Sequence, residues 1–344
     1  MPRLSILIPA DGGAERLERT LVSVLQNRPE ACEVIVVTRG AYDDPYNLAD
    51  EVSFVSAPHS VRAIEQIQQG LRHCHAPVVH VLHAGLEATD RWTDAAVAHF
   101  DKASIAAVAP LVVNARDPRR VVSAGLDYRA SGRMIVRTAG EPVDGLAGGS
   151  QPIVGPTLAA AFYRLEALTR ASDEFTAGLS TKLAQVDWAL VLRRMGYAAR
   201  FEPASRVLGE TDPPEGIAKS RHAWQAERLF WRHAGTLGWA RSLAAHATLL
   251  VTESLGNWRG PQVAVSRLAG AVVGCAGAIA GRKPAIRTSS ARMTTIEEVA
   301  LDPLATPHSA SPRVMLRTDA GNPATPAPRR ETLEHAGHKT GRNV

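Results

Sequence analysis

Residues 4–37 read LSILIPADGGAERLERTLVSVLQNRPEACEVIVV, and the fold class is predicted from the pattern in this stretch. Residues 4–9 and 33–37 are short apolar runs of the kind found in buried strands, and the second is rich in β-branched side chains. Between them, apolar residues recur at helical spacing: Leu17, Leu21, Val24 and Leu25. The spacing predicts a helix over 14–26, and two buried strands joined by such a helix predict a βαβ unit.

The same alternation continues along the chain. The pattern predicts a helix over 61–74, a strand over 77–82, a strand over 104–113 and a hairpin or lid over 121–136. Repeated strand–helix alternation is typical of an α/β fold with a mostly parallel sheet covered by helices on both faces.

The C-terminal third has a different character. Ser180 is placed to cap a helix that runs to Met195, and Gly196 stands where helix C-caps are common. Residues 216–255 are helical in pattern and contain several Trp residues, and 263–281 are small and apolar. The latter has about 14 uninterrupted apolar residues, fewer than the roughly 20 that span a bilayer, which favours a packed or surface-lying helix. Beyond Lys283 the Pro-, Thr-, Ser- and Arg-rich composition predicts a disordered tail.

Composition excludes several classes of protein. The chain has 344 residues, 45% of them hydrophobic, so wholesale disorder is excluded. Three cysteines without a CxxC pair support neither a disulfide framework nor a Cys-rich zinc site. The formal charge is +5, but residues 282–344 contain ten Lys and Arg against six Asp and Glu. The excess of positive charge therefore lies mainly in these residues. The rest of the chain shows no basic stripe interleaved with aromatic residues, as a nucleic-acid binder would, so no nucleic-acid partner is predicted.

Three stretches, in this order, resemble the inverting glycosyltransferases of family 2. The first is the strand-Pro opening at 5–9 with the helix over 15–26, and the second is the strand over 33–37 followed by Gly40. The third, VDWALVLRRMGY at 186–197, is similar to the family's "vDw.lrlrr.Gy" helix. The resemblance implies a GT-A-like (nucleotide-diphospho-sugar transferase) domain over 1–212, with a helical extension over 213–283 and the tail over 284–344.

The resemblance also implies the chemistry of this family. Its members transfer a sugar, with inversion, from a nucleotide-sugar donor to a glycan or lipid-linked acceptor. The departing diphosphate gains negative charge, which a divalent metal or cationic groups must stabilise, and a carboxylate takes the proton of the attacking hydroxyl.

This chain departs from the family at its charged positions. His83-Ala84-Gly85 replaces the metal-binding Asp-x-Asp, so the usual Mg²⁺ or Mn²⁺ is doubtful and no metal ligand is predicted. Thr38-Arg39-Gly40-Ala41 replaces Asp-Asp-Gly-Ser, and the base position reads Gln185. His83 is interpreted mainly as a neutral histidine at the end of a strand.

We predict Asp187, the strongest remaining carboxylate, as the catalytic base. The alternative is an acid in the first helical turn, stabilised by the helix dipole. The candidate nucleotide-sugar ligands lie at or after the ends of the first three predicted strands, where open α/β sheets bind ligands. These candidates are Pro9, Asp11, Arg39, Gly40, Asp43 and His83. For Arg39 a solvated loop arginine is the alternative, and the Gly12-Gly13 pair is only a weak phosphate-binding signal.

Two functional hypotheses follow. The first is a cytoplasmic, bacterial glycosyltransferase of surface polysaccharide assembly, and the second is a catalytically inactive relative that serves as a binding or partner module. A sugar-nucleotide pyrophosphorylase is a more distant alternative, because the Gly-rich loop of that class is missing. Trp and Arg residues in the C-terminal helices allow either packing on the sheet or peripheral contact with the inner face of the membrane.

Overall fold

A ten-stranded sheet forms the centre of the protein, whose computed structural model describes residues 1–280 except 12, 147, 177, 211–217 and 257–260. The strands in chain order are β1 (Leu4–Ala10), β2 (Cys32–Arg39), β3 (Val52–Ala57), β4 (Val78–Leu82), β5 (Glu87–Ala88), β6 (Ile105–Asn114), β7 (Val121–Ser123), β8 (Leu126–Tyr128), β9 (Met134–Val136), β10 (Gln151–Ile153), β11 (Ala160–Arg164) and β12 (Ala198–Gly209). Strands β8 and β9 stand apart from the main sheet as an antiparallel pair, in the segment where a hairpin is predicted.

The helices cover this sheet and extend it at the C-terminus. They are α1 (Ala14–Gln26), α2 (Ala63–Leu71), α3 (Asp94–Ala98), α4 (Leu165–Asp173), α5 (Thr181–Arg194), α6 (Lys219–His233), α7 (Trp239–Gly256) and α8 (Pro261–Ala280). The predicted helix over 14–26 is confirmed, and so is the cap of α5: Ser180 Oγ accepts a hydrogen bond from the Leu183 amide. The predicted helix over 61–74 is shorter in the structure, because α2 begins at Ala63 and ends at Leu71.

The order and directions of the strands determine at which edge of the sheet their carboxyl ends meet. The main path is β10-β12-β6-β11-β4-β1-β2-β3, and β11 runs antiparallel to its neighbours β4 and β6. The strands β1, β2, β3, β4, β6 and β12 share one direction, which agrees with the predicted mostly parallel sheet. Their carboxyl ends therefore meet at one edge, which is where open α/β sheets bind ligands.

Side-chain alternation along β1 builds the two faces of the core. Ile6 and Ile8 pack in one apolar cluster with residues of α1, including Leu21. Leu7 points to the opposite face and packs in a second cluster with residues of α2, including Ile67. Successive side chains of a strand face opposite ways, so one continuous apolar run supplies both layers of the core.

The C-terminal helices pack closely on one another. Gly270 of α8 lies so near α6 that an added Cβ would stand 2.7 Å from the Trp224 carbonyl oxygen. Buried Glu227 of α6 accepts hydrogen bonds from His246 Nε2 of α7 at 2.9 Å and from Arg267 Nη1 of α8 at 2.9 Å. These charged contacts join all three helices, since a carboxylate that is almost fully buried requires such partners.

The predicted domain boundary near 212 falls in 211–217, outside the described residues, and the predicted tail over 284–344 lies outside them as well. The described residues belong to one unit, Met1–Ile286, so the predicted division into a domain and an extension stays a prediction. Among the described helices, none is both long enough and apolar enough to cross a bilayer.

Candidate functional site

A cavity of about 550 Å³ opens at the carboxyl edge of the sheet. Residues from both halves of the chain line it, from the ends of β1 and β2 to the beginnings of α5 and α6. Its charged and titratable lining residues are Asp11, Arg16, Arg39, Arg62, His83, Lys182, Glu210 and Arg221. Five cations against two carboxylates make this a cavity suited to an anionic ligand.

Asp11 and Arg39 form one wall of the cavity. Asp11 follows β1 and Arg39 ends β2, so the parallel pairing of these strands brings the two side chains together. Arg39 Nη2 lies 3.9 Å from Asp11 Oδ2, and each side chain is about one-third exposed. Arg39 Nε is buried and has no hydrogen-bond partner among the described residues. The guanidinium therefore keeps a donor that a ligand oxygen would satisfy.

Arg16 covers the segment that replaces the metal-binding motif. The Gly85 amide donates hydrogen bonds to the Arg16 carbonyl oxygen at 3.1 Å and to Thr20 Oγ1 at 2.8 Å, which fixes this backbone against α1. A Cβ added to Gly85 would lie 2.7 Å from Arg16 Nη2. The guanidinium thus fills the space that a side chain at position 85 would occupy, and a cation stands where the resemblance implies a carboxylate.

The donor set does not fit a divalent metal ion. Within the part of the chain that the structure describes, no three His, Cys, Asp or Glu side chains are grouped so as to hold a metal. The two cavity carboxylates face cations instead, since Asp11 lies by Arg39 and Glu210 pairs with Arg116 at 2.9 Å. Mg²⁺ and Mn²⁺ prefer several oxygen ligands, which this edge does not supply.

A second basic group, Lys182 and Arg221, lines the cavity from the first turns of α5 and α6. Neither side chain forms an ion pair with a described residue. Arg62, by contrast, is engaged: its guanidinium binds Glu65 at 2.5 Å and donates to the Leu179 carbonyl oxygen at 2.7 Å. Lys182 and Arg221 are therefore available to a ligand, whereas Arg62 mainly holds the loop before α5.

Gln185 stands inside the cavity, one turn from Lys182. Its Oε1 accepts a hydrogen bond from the Leu158 amide at 3.0 Å, and its Nε2 lies 3.3 Å from Met134 Sδ. An amide does not accept a proton usefully at neutral pH. The position where the resemblance implies a base thus holds a neutral side chain that organises the wall.

Asp187 lies elsewhere. Its side chain has no exposed surface and does not line the cavity. His233 Nε2 lies 2.6 Å from its Oδ1, the Thr176 amide donates to Oδ2 at 2.8 Å, and Arg232 Nε lies 3.5 Å from Oδ1. Burial opposes ionisation, but the hydrogen bond from His233 and the charge of Arg232 outweigh it, so the pKa of Asp187 lies below its usual value.

The geometry of Asp187 bears on both interpretations of this residue. Burial lowers the pKa of His233, and the hydrogen bond and charge of Asp187 oppose this shift. The interpretation as an acid in the first helical turn is wrong, because that turn of α5 contains no acid. The catalytic role stays a prediction, and the burial of the carboxylate opposes it because an acceptor hydroxyl cannot reach the group in this conformation.

The remaining predicted residues divide between the cavity and its supports. Asp11, Arg39 and His83 line the cavity, whereas Pro9, Gly40 and Asp43 do not, and Gly12 lies outside the described residues. The Pro9 carbonyl oxygen accepts a hydrogen bond from the Ala84 amide at 3.2 Å. Gly40 has φ +84°, which disfavours a side chain there, and an added Cβ would lie 2.6 Å from Nε2 of exposed His59. Asp43 is exposed in the loop after β2.

Arg16, Arg62, Lys182 and Arg221 are cavity residues that the sequence analysis missed. Arg16 had a usable signal, because the first turn of a helix that follows a strand lies at the carboxyl edge of the sheet. Lys182 had no such signal, because α5 follows the helix α4 and not a parallel strand. Arg221 had none, since only the packing of α6 against α5 brings it to the cavity.

Comparison with solved structures shows that the fold is similar to that of known glycosyltransferases. The crystal structure of GalNAc-T7 with UDP, GalNAc and Mn²⁺ aligns with a TM-score of 0.52 at 15% identity. The alignment covers 68% of this chain and 49% of that one, so the chain spans about half the length of that relative. The mannosyltransferase PcManGT from Pyrobaculum calidifontis in complex with GDP-Man and Mn²⁺ aligns with a TM-score of 0.41 at 18% identity, over 82% of this chain and 88% of that one.

A family model gives a second, independent similarity. The model of Glycosyl transferase family 2 matches residues 5–149, and no curated protein matches the chain. The match covers less than half of the chain and confirms the predicted resemblance to family 2 over those residues, and the structural similarity confirms the predicted fold class.

Proposed function

We propose that the protein transfers a sugar from a nucleoside-diphosphate donor to an acceptor hydroxyl, and that Arg16 and Arg39 stabilise the diphosphate in place of a divalent metal. The observation that carries this proposal is the guanidinium of Arg16 beside Gly85, at the end of the strand where the resemblance implies a metal site. The GalNAc-T7 structure contains UDP, which supports a nucleoside diphosphate as the ligand of this fold.

The charge balance of the reaction explains the need for these cations. The acceptor oxygen forms a bond to the anomeric carbon, and the bond from that carbon to the diphosphate oxygen breaks with its electron pair. Two guanidinium groups at the end of the cavity formed by β1, β2 and β4 are suited to the charge that develops on the departing diphosphate. Direct displacement of this kind inverts the anomeric centre, which the anomeric proton coupling of the product tests.

The acceptor proton also needs a base. Asp11 faces Arg39, whereas Glu210 lines the cavity just after β12, whose antiparallel pairing with β5 brings it near Gly85. Glu210 is therefore the carboxylate that we propose for this role, with Arg116 as the group that orients it at 2.9 Å.

A catalytically inactive binding module is the second candidate function. It is favoured by Gln185 at the family's base position and by the complete burial of Asp187. Such a module retains nucleotide binding or partner binding without sugar transfer. An assay of sugar transfer with the nucleotide-sugar donor that binds distinguishes a glycosyltransferase from a binding module.

The proposal predicts metal-independent nucleotide binding. We expect one of UDP, GDP, dTDP or CDP to raise the melting temperature by several degrees in EDTA, with no further increase from Mn²⁺. A ligand at 100 times its Kd adds about 2.7 kcal/mol to the free energy of unfolding, and about 1 kcal/mol shifts the melting temperature of a domain of this size by roughly 2–4 °C. Differential scanning fluorimetry of the full chain measures this.

Two results contradict the proposal. A shift that occurs only with Mn²⁺ removes the metal-independent mechanism and leaves the nucleotide donor. The absence of a shift with all four nucleotides removes the donor site and favours the binding module.

We also propose peripheral contact of α7 and α8 with a membrane surface, which suits a lipid-linked acceptor. One face of α8 presents exposed apolar side chains at helical spacing, Val265, Leu268 and Val272, each more than 60% exposed. At the start of α7, exposed Trp239 and Leu243 flank Arg241. Aromatic, aliphatic and basic side chains in this arrangement fit an anionic lipid surface.

Vesicle sedimentation tests this contact. We expect the protein to sediment with vesicles that contain phosphatidylglycerol, and Leu268→Glu with Val272→Glu to lower the bound fraction at least several-fold. Val22→Glu, which alters a comparably exposed apolar residue on α1, is the matched control. Equal binding by all variants excludes α8 as the contact.

A further inference from the structure

The cavity contains two separate groups of cations, and the proposed function uses only one. Arg16 and Arg39 come from α1 and β2, whereas Lys182 and Arg221 come from α5 and α6. Because the diphosphate is assigned to the first group, the second group needs its own explanation.

Gln225 joins the start of α6, which contains Arg221, to the segment before α5, which contains Lys182. This buried side chain accepts a hydrogen bond from the Ser180 amide at 3.1 Å and donates one to the Gly178 carbonyl oxygen at 2.7 Å. Lys182 follows Ser180 by two residues, and Arg221 lies one helical turn before Gln225, on the same face of α6. The start of α6 is thus held against the start of α5, and both cations line the cavity.

A short segment between β10 and β11 separates the two groups. The Ala159 carbonyl oxygen accepts a hydrogen bond from the His83 amide at 2.9 Å, and the next residue back, Leu158, donates its amide hydrogen to Gln185 at 3.0 Å. This segment connects the end of β4 with α5. These two hydrogen bonds link the end of β4 to α5 through residues 158 and 159, which also line the cavity.

Two cations that line one cavity and form no ion pair with the residues that the structure describes repel each other, and an anion reduces this cost. Arg62 differs from these two residues, because its guanidinium lies 2.5 Å from the carboxylate of Glu65, which balances its charge. A nearby Lys and Arg supply the charge-assisted donors that phosphate and carboxylate oxygens accept.

We propose that the acceptor carries an oxyanion, a phosphate or a carboxylate, which Lys182 and Arg221 bind while its hydroxyl faces the donor sugar. The identification of the bound anion as the acceptor rests on the proposed function. The existence of the anion site does not. Lys182 and Arg221 are specificity residues in this scheme, since they select the acceptor and leave the diphosphate to Arg16 and Arg39.

Calorimetric titration of the full chain with inorganic phosphate and with glucuronate tests the site. The titrations are run without nucleotide and again with a saturating nucleoside diphosphate. We expect one of the two probes to bind in both conditions, and Lys182→Gln and Arg221→Gln each to weaken it about tenfold or more. The same variants change the affinity for the nucleoside diphosphate less than twofold. If phosphate binds and glucuronate does not, the acceptor is phosphorylated. If glucuronate binds and phosphate does not, the acceptor is an acidic sugar.

The control variant is Arg16→Gln, which we expect to lower the affinity for the nucleotide and leave the affinity for the probe unchanged. Loss of nucleotide affinity in Lys182→Gln and Arg221→Gln overturns the inference, because these cations then belong to the donor site. Failure of both probes to bind also overturns it. If no nucleotide binds at all, the proposed function fails, and the titration without nucleotide still decides whether the anion site exists.

Discussion

Asp187→Ala is expected to lower the free energy of unfolding by about 3–5 kcal/mol, because it removes one partner of a buried charged network. In a protein of this size the loss corresponds to a fall in the melting temperature of roughly 10 °C. His233, Arg232 and the Thr176 amide would each lose their contact with the carboxylate. Chemical denaturation of the wild type and the variant measures the difference.

The reason for this large effect is the loop over 174–180, which leads into the cavity. Its backbone is held mainly by side chains: Arg232 binds the Glu174 carbonyl oxygen, Asp187 binds the Thr176 amide and Gln225 binds Gly178. The far side of the cavity, with Ser180 and Lys182, follows directly. We therefore expect Asp187 to act on the site through the position of this loop.

Two further variants separate this structural role from the predicted catalytic one. Asp187→Asn keeps an acceptor for the Thr176 amide, so we expect a smaller loss of stability than with Ala. Asp43→Ala changes an exposed loop carboxylate and should alter stability by less than about 0.5 kcal/mol. If Asp187→Asn retains full stability but loses all sugar transfer, the structural role is refuted and the base assignment gains its support.

Arg16→Ala is expected to weaken binding of the nucleoside diphosphate about 10- to 100-fold in EDTA. Hydrogen bonds to charged groups contribute about 1.5–3 kcal/mol, which corresponds to this range of affinity. The Arg16 guanidinium lies against Gly85 at the end of the cavity that Arg39 also lines, so both cations contact the same diphosphate in the proposed mechanism. Isothermal titration calorimetry measures the affinity.

Arg19→Ala is the matched control, because Arg19 lies on the same helix three residues further on and is exposed outside the cavity. It lowers the net charge equally, so an effect of overall charge would appear in both variants. Equal affinities for the wild type and Arg16→Ala would show that the diphosphate binds elsewhere. They would contradict the proposal that Arg16 replaces the metal ion.

Local patterns predicted much of the framework. The spacing of Leu17, Leu21 and Val24 determined α1, and Ser180 with Gly196 delimited α5. Asp11, Arg39 and His83 were correctly expected at the carboxyl edge, because parallel strands bring their ends together whatever their loops contain. The second half of the cavity was not predicted, since β11 and α6 reach it through long-range packing.

By itself, the sequence determined the elements, the family 2-like motifs and the loss of the Asp-x-Asp carboxylates, because these properties depend on residues close together in the chain. Only the tertiary structure decided which charges face one another. It placed Arg16 over Gly85, buried Asp187 against His233 and brought Arg221 and Lys182 to one cavity. Electrostatic interaction depends on distance and burial, and neither quantity can be read from the order of residues before the chain is packed.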